Sequence, residues 1–389
     1  MPVFYAYQRE AGLSDQEIFG IQSIYYIAFC LFEIPTGLVA DRIGARNCLS
    51  AGAVVMTAAN LVPVLSPSYL GFLVHFLAIA AGRSLTSGAA SAYLYDALHA
   101  HGAGDHYLRA EGTARALGLA AKVVCWPLVG PLMSLARPVP YLLSAAGAAA
   151  SLGCALALPR RVRPAGAGGF GAADEPGRRA AEPLPKRSRN VARAVRCLLA
   201  SPWLVLVMVQ GVALFTLSRI CQVNLFQPIL LDHGVPETSH GAVLAAVTVA
   251  EAVGSARPQW LGRRLRPLPL VSLLSLAMAA ALAGTTLGGP LPAIALLCLF
   301  SAVTGFAYPL QRKLVNDAIP DGAPRATLLS AESIVDRGVC ALAAVAAGGY
   351  LSAGRMDALL WQSAAATALV MLGVHTAAAI RALRGGSGG

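Results

Sequence analysis

Several charged residues in this chain lie where charge is expensive. Arg83, Lys122 and Arg219 each fall near the middle of a long apolar run, and Asp336 and Arg337 fall side by side near the middle of another. Glu33 and Glu251 lie in the end portions of two further runs, as do Asp96, Glu111, Arg115 and Glu332 in theirs. In hydrocarbon a charged side chain costs about 3 kcal/mol or more, so each of these needs a partner, a proton or water. The residue types suggest two chemistries. A sequestered carboxyl can take up and release a proton, and Glu33, Glu251 and Asp336 are the candidates. An excess of midplane cations, Arg83, Lys122 and Arg219, attracts an anionic or carboxylate-bearing molecule. The competing reading stays open: the three cations satisfy helix-end carbonyls, or pair with Glu33, Glu111 or Asp336, and Glu33 is a structural partner of Arg83 or Arg115.

Polar residues recur beside these charges at helical spacing. His75, Arg83, Ser87 and Ser91 share a face with Ile79. Phe215, Arg219, Gln222 and Phe226 form a second stripe, and Thr304, Tyr308 and Gln311 a third. In a membrane, stripes with several polar groups face a cavity or a neighbouring helix. Asp96, Arg109, Glu111, Arg115, Glu332 and Arg337 read as structural ion-pair formers. No enzyme constellation accompanies them. There is no Walker loop and there are no paired acids of magnesium-binding spacing. The eight cysteines are spread singly without metal-ligand spacing, so neither a metal nor a cofactor is expected.

The elements that would position these groups are long helices. Of the 389 residues 56% are hydrophobic and only 13% charged, with mean hydropathy +0.62. A soluble domain carries about twice that charge. The apolar runs are continuous rather than alternating, which selects helices over a membrane barrel. Eleven full spans are predicted: about 17–40, 47–66, 68–98, 107–135 and 139–158, then 202–231, 238–258, 268–288, 291–317, 325–352 and 355–382. Ser14-Asp15-Gln16-Glu17 reads as a capping box opening the first. Residues 1–13 are too short to span. Between the two sets, residues 159–200 hold ten Lys/Arg against three acids. That region is Pro-, Gly- and Ala-rich and poor in aromatics, so cytoplasmic topology explains its charge better than nucleic-acid binding. The domains expected are 1–158, a basic linker 159–200, and 201–389, with linker and C-terminus cytoplasmic.

The two sets echo each other. Glu33 precedes Gly44 by eleven residues and Arg46 by thirteen, and Glu251 stands in the same relation to Gly262 and Arg264. Asp96-Ala97-Leu98 and Asp317-Ala318-Ile319 close corresponding spans. The pattern suggests a duplicated six-helix unit whose first helix is represented here by a stub.

The turn Gly37-Leu38-Val39-Ala40-Asp41-Arg42-Ile43-Gly44-Ala45-Arg46 carries a recognisable signature. It is similar to the loop between spans 2 and 3 of the major facilitator superfamily, with Ala45 a departure. Ser87-Gly88-Ala89-Ala90-Ser91-Ala92-Tyr93-Leu94-Tyr95-Asp96 resembles span 4 of an efflux-type subgroup. Asn316, Ile319-Pro320 and Arg325-Ala326-Thr327-Leu328-Leu329-Ser330 resemble the turn into span 11. The span-5 antiporter pattern is largely missing, since Lys122 and Trp126 replace its first two glycines and only Pro127 and Gly130 fit. The resemblance implies an all-α, polytopic, two-bundle fold of eleven full spans and a stub. It implies spans 1, 4, 7 and 10 around a central cavity, with Gly37, Asp41, Arg42, Gly44 and Arg46 as a gating motif. It also implies proton-coupled efflux of a drug-like or natural-product small molecule, anionic if the cation excess is real, by a monomer in the bacterial cell membrane. A metabolite importer of the same fold, and a non-transporting membrane sensor or integral-membrane enzyme, are the alternatives.

Overall fold

The computed structural model describes residues 4–103, 106–159, 193–256, 266–320, 323 and 325–386. The helices are α1 (Phe4–Glu10), α2 (Asp15–Ile43), α3 (Ala45–Leu65), α4 (Tyr69–Ala100), α5 (Tyr107–Leu135) and α6 (Val139–Ala157). They continue with α7 (Pro202–Asp232), α8 (Glu237–Ala256), α9 (Pro267–Gly284), α10 (Pro290–Ala318), α11 (Arg325–Ser352) and α12 (Met356–Gly386). A further helical segment at 193–200 leads into α7. The eleven predicted spans match α2–α12 to within four residues at either end.

Local chemistry accounts for the helix starts. At α2 the Ser14 hydroxyl accepts from the Glu17 amide at 3.3 Å while the Glu17 carboxylate accepts from the Ser14 amide at 2.8 Å, a reciprocal cap. Helices α6, α7, α9 and α10 each carry proline in the first turn, where a missing N–H costs nothing. Among the described residues, ten of the helices are long and apolar enough to cross a membrane.

Packing follows a simple rule. Helix α3 packs on α4 and α6, and α2 on α4; likewise α9 packs on α10 and α12, and α8 on α10. Each of these first-set contacts becomes a second-set contact when six is added to the helix numbers. The contacts between the sets, α2 with α11 and α5 with α8, exchange under the same operation. A duplicated unit related by a pseudo-twofold produces this pattern.

The two sets come into close backbone contact at the end away from the linker, called here the far end. There the backbone at Gly241 of α8 abuts the Trp126 carbonyl of α5, and Gly130 of α5 abuts Thr238 of α8. A Cβ at Gly348 of α11 would lie 3.0 Å from Phe19 Cβ of α2. Only a residue without Cβ permits the first two approaches. Gly241→Leu should therefore force α5 and α8 apart and destabilise the protein by about 1–3 kcal/mol. Thermal unfolding in detergent reads this as a lowered Tm, and an unchanged Tm would show the contact to be dispensable.

At the linker end Gly44 takes φ 83°, a left-handed value that lets α2 turn into α3 within one residue. Arg46 then reaches across to the end of α6. Its Nε donates to the Leu158 carbonyl at 2.7 Å and its Nη2 to the Leu156 carbonyl at 2.5 Å. These are carbonyls that a helix C-terminus leaves unpaired, at the negative end of its dipole.

Candidate functional site

Three cation–carboxylate pairs lie deep in the second set and at its boundary with the first, and α11 contributes to all three. Asp336 is buried and accepts from Arg219 Nη2 of α7 at 2.8 Å. Its other oxygen accepts from the Thr216 hydroxyl at 3.3 Å, with Cys340 Sγ at 3.7 Å. One turn earlier Glu332, also buried, accepts from Arg312 Nη1 of α10 at 3.1 Å. Arg337 crosses the boundary: its guanidinium lies 3.9 Å over the Phe29 ring of α2 and 3.9 Å from a Glu33 carboxylate oxygen. Residues 336 and 337 thus serve opposite sides of α11, because consecutive helical residues point about 100° apart. Adjacency in sequence does not make Asp336 and Arg337 partners: Asp336 is held by Arg219, while Arg337 lies against Glu33 and Phe29 of α2.

An aromatic wall completes the boundary. Tyr25 contacts Tyr26, Phe29 and Phe76. The Tyr26 hydroxyl reaches across to Asn224 of α7 at 3.3 Å. Arg83 of α4 donates to the Tyr25 hydroxyl at 3.2 Å and is itself exposed. Among the described residues no carboxylate lies within ion-pair distance of Arg83. In the second set the Phe215 and Tyr308 rings lie 5.0 Å apart, with Arg312 4.8 Å from the first ring and 5.6 Å from the second. Gln222 donates to Glu251 at 3.3 Å and to Ser301 at 3.4 Å, which ties Glu251 into the α7–α8–α10 packing.

Not every predicted stripe lines this seam. In α7, residues Ile220–Leu225 form a π-helical turn, which puts an extra residue into the helix. It rotates Phe226 away from Arg219 and Gln222 and into the core, edge-on to Phe300 at 5.8 Å. Thr304 is buried, its hydroxyl bonded to the Phe300 carbonyl at 2.9 Å and near Met278 Sδ of α9 at 3.7 Å. Gln311 is buried and donates to the Val207 carbonyl of α7 at 2.8 Å. Tyr308 remains part-exposed. Ser87 returns its hydroxyl to the Ser84 carbonyl at 3.4 Å. Lys122 is exposed and lies 5.6 Å over the Trp126 ring of its own helix, and no contact among the described residues joins it to Arg83 or Arg219. His75 packs, its Nδ1 2.6 Å from the Ala59 carbonyl.

Several predicted residues lie outside the described ones. Gly37 and the side chains of Asp41, Arg42, Ser91, Asp96, Arg109, Glu111 and Arg115 belong here, as do Gly262 and Arg264 of the second-half echo. Sequence reasoning missed Arg312 and Tyr25. Arg312 stands next to Lys313 near a helix end and reads as ordinary topology-setting charge. The usable signal was its four-residue spacing from Tyr308.

A sequence-family model described as Major Facilitator Superfamily matches residues 1–331. The chain belongs to the major facilitator superfamily. It is therefore a multi-pass membrane transporter rather than an enzyme. No curated protein sequence matches it significantly. Solved structures show the same fold. The nucleoside transporter NupG superposes with TM-score 0.70 at 15% identity, over 94% of this chain and 91% of that one. A POT family transporter in complex with 5-aminolevulinic acid gives 0.71 at 13%, over 96% and 90%. A bacterial homolog of the human lysosomal transporter Spinster, in an inward-facing and occupied conformation, gives 0.67 at 17%, over 96% and 90%.

Proposed function

We propose that this member of the superfamily exports a small anionic molecule, drug-like or natural-product in character, in exchange for protons across the bacterial cell membrane. The observation that carries the anionic part is how the seam's charges are shared. Of its four guanidinium groups, Arg219, Arg312 and Arg337 lie against Asp336, Glu332 and Glu33, while Glu251 is bonded to Gln222. Arg83 is the member without a carboxylate among the described residues, and it is exposed beside a tyrosine hydroxyl. A guanidinium with free donors suits a carboxylate or phosphate group.

The bundles 1–158 and 201–389, joined by the basic linker, are proposed to rock about this seam. The glycine contacts at the far end support a state open toward the linker, which the positive-inside rule places in the cytoplasm. Glu33, Asp336 and Glu251 remain proton-coupling candidates. Gly37, Asp41, Arg42 and Gly44 are proposed to gate, while Arg46 anchors α6.

An importer is the second reading. One structural neighbour is a fucose:proton symporter, and the span-5 antiporter pattern is weak. Everted membrane vesicles loaded by respiration decide between them. Uptake of anionic members of a substrate panel that collapses with an uncoupler supports proton-driven export. Accumulation only in right-side-out vesicles gives import, and uncoupler-insensitive movement removes proton coupling.

A further inference from the structure

The closed seam at the far end encloses amide groups that its packing does not satisfy. Gln8 of α1 is fully buried, and among the described residues neither atom of its amide has a hydrogen-bond partner. Gln22 of α2 and Asn224 of α7 are each 2% exposed, and Gln22 Nε2 and Asn224 Nδ2 have no partner either. All four atoms are enclosed by protein. Exchanging nitrogen for oxygen within an amide does not help. Gln8 lacks a partner at both positions. In Asn224 the exchange strands the oxygen instead, because the Tyr26 hydroxyl lies at the other atom, 3.3 Å from Oδ1.

These side chains belong to the contact between the two sets. Gln22 precedes Tyr26 by four residues and shares its face of α2, and Tyr26 reaches Asn224 across the seam. Gln8 follows Tyr5 by three residues on α1, and the Tyr5 amide donates to Gln227 Oε1 of α7 at 3.1 Å. An enclosed amide group without a partner disfavours the state that buries it by about tenfold.

We propose that Gln8, Gln22 and Asn224 are a conformational load built into the far-end seam, which destabilises the closed state so that it does not lock. When α7 parts from α1 and α2 at that end, the three amides reach water and their hydrogens are bonded. Closing strips them again. The close approaches of α5 to α8 and of Phe19 to Gly348, with the Tyr26–Asn224 and Tyr5–Gln227 bonds, favour closure. The amides oppose it, and the balance keeps both states populated. Apolar side chains of the same size in these places remove the opposition.

The inference rests on the rocking of the two bundles proposed above, but not on a substrate or a coupling ion. Ser66, between α3 and α4, and Leu287, between α9 and α10, are exposed at the far end of the first and second sets. Spin labels on genetically encoded keto side chains at these two positions report the far-end separation of the full-length protein in nanodiscs, by double electron–electron resonance. The parent should show a short and a long distance. Gln8→Met and Gln22→Met, close to glutamine in volume, should each shift the ratio toward the short distance by about tenfold and raise the Tm. Gln227→Met should do the reverse, because it strands the Tyr5 amide that Gln227 now accepts from. That change of sign separates the load from a general effect of added apolar surface. Should Gln8→Met not fold, Gln22→Met carries the same test. Populations unmoved by the glutamine substitutions at 8 and 22, or a lowered Tm in both, overturn the proposal and leave the rocking reading intact. A parent with the short distance alone removes both together.

Discussion

Asp336→Asn should be among the most destabilising conservative substitutions in this protein. The carboxylate is buried and engaged by Arg219, the Thr216 hydroxyl and Cys340. Removing its charge leaves Arg219 in the helical interior with Nε already lacking a partner. Breaking a fully buried pair costs about 3–5 kcal/mol because the surviving charge is uncompensated. A third of the Arg219 side chain remains exposed, so water recovers some of this, and about 2–4 kcal/mol is expected. The same logic predicts that Arg219→Gln combined with Asp336→Asn is milder than either single change, since two neutral amides can bond to each other. Unfolding in detergent, followed by tryptophan fluorescence, measures all three proteins. A double variant as unstable as the sum of the singles would show that the pair is not acting as a unit.

Arg83→Gln should cost transport of anionic substrates about tenfold to a hundredfold, with little change in stability. The guanidinium is exposed and, among the described residues, hydrogen-bonds to Tyr25 alone, so the fold does not depend on it. A charge-assisted hydrogen bond to a substrate carboxylate is worth about 1.5–3 kcal/mol, which corresponds to that range in affinity. Arg83→Lys should retain part of the activity, because charge is kept but the planar fork is lost. Tyr25→Phe should have a smaller effect, since it frees rather than removes the cation. Initial rates in vesicles for matched anionic and neutral panel members give the contrast. Equal losses for both would assign Arg83 to the conformational cycle instead of the substrate.

How much of this was legible in advance varies from residue to residue. The Ser14–Glu17 cap needed only the spacing of a hydroxyl and a carboxyl, since both partners lie within one turn. Helix bounds came from runs of apolar residues ended by proline, glycine or charge, because hydrocarbon imposes length and hydrogen bonding locally. The six-helix echo was visible in the Glu33 and Glu251 offsets and reappears as packing. Arg219 and Asp336 were both recognised as too deep to stand alone, yet 117 residues separate them and either could have gone elsewhere. Arg312 was invisible for the opposite reason: a cation near a helix end needs no explanation until the fold brings Glu332, Phe215 and Tyr308 around it. The π turn at 220–225 broke a stripe that regular helical spacing had joined.

The amino-acid sequence by itself determined that this is a helical membrane protein, because solvent and backbone chemistry leave a long apolar chain one architecture, and its 37–46 motif carried the resemblance to the major facilitator superfamily. It also determined which groups could not be left uncompensated in that solvent. Only the tertiary structure decided who compensates whom. It turned Asp336 and Arg337 to different sides of α11, gave Glu332 to Arg312 and, among the described residues, left Arg83 with a tyrosine in place of an acid. The reason is one of range. Helix formation is set within a few residues, whereas the partner of a buried charge is chosen across helices, by packing that brings together residues distant in the chain.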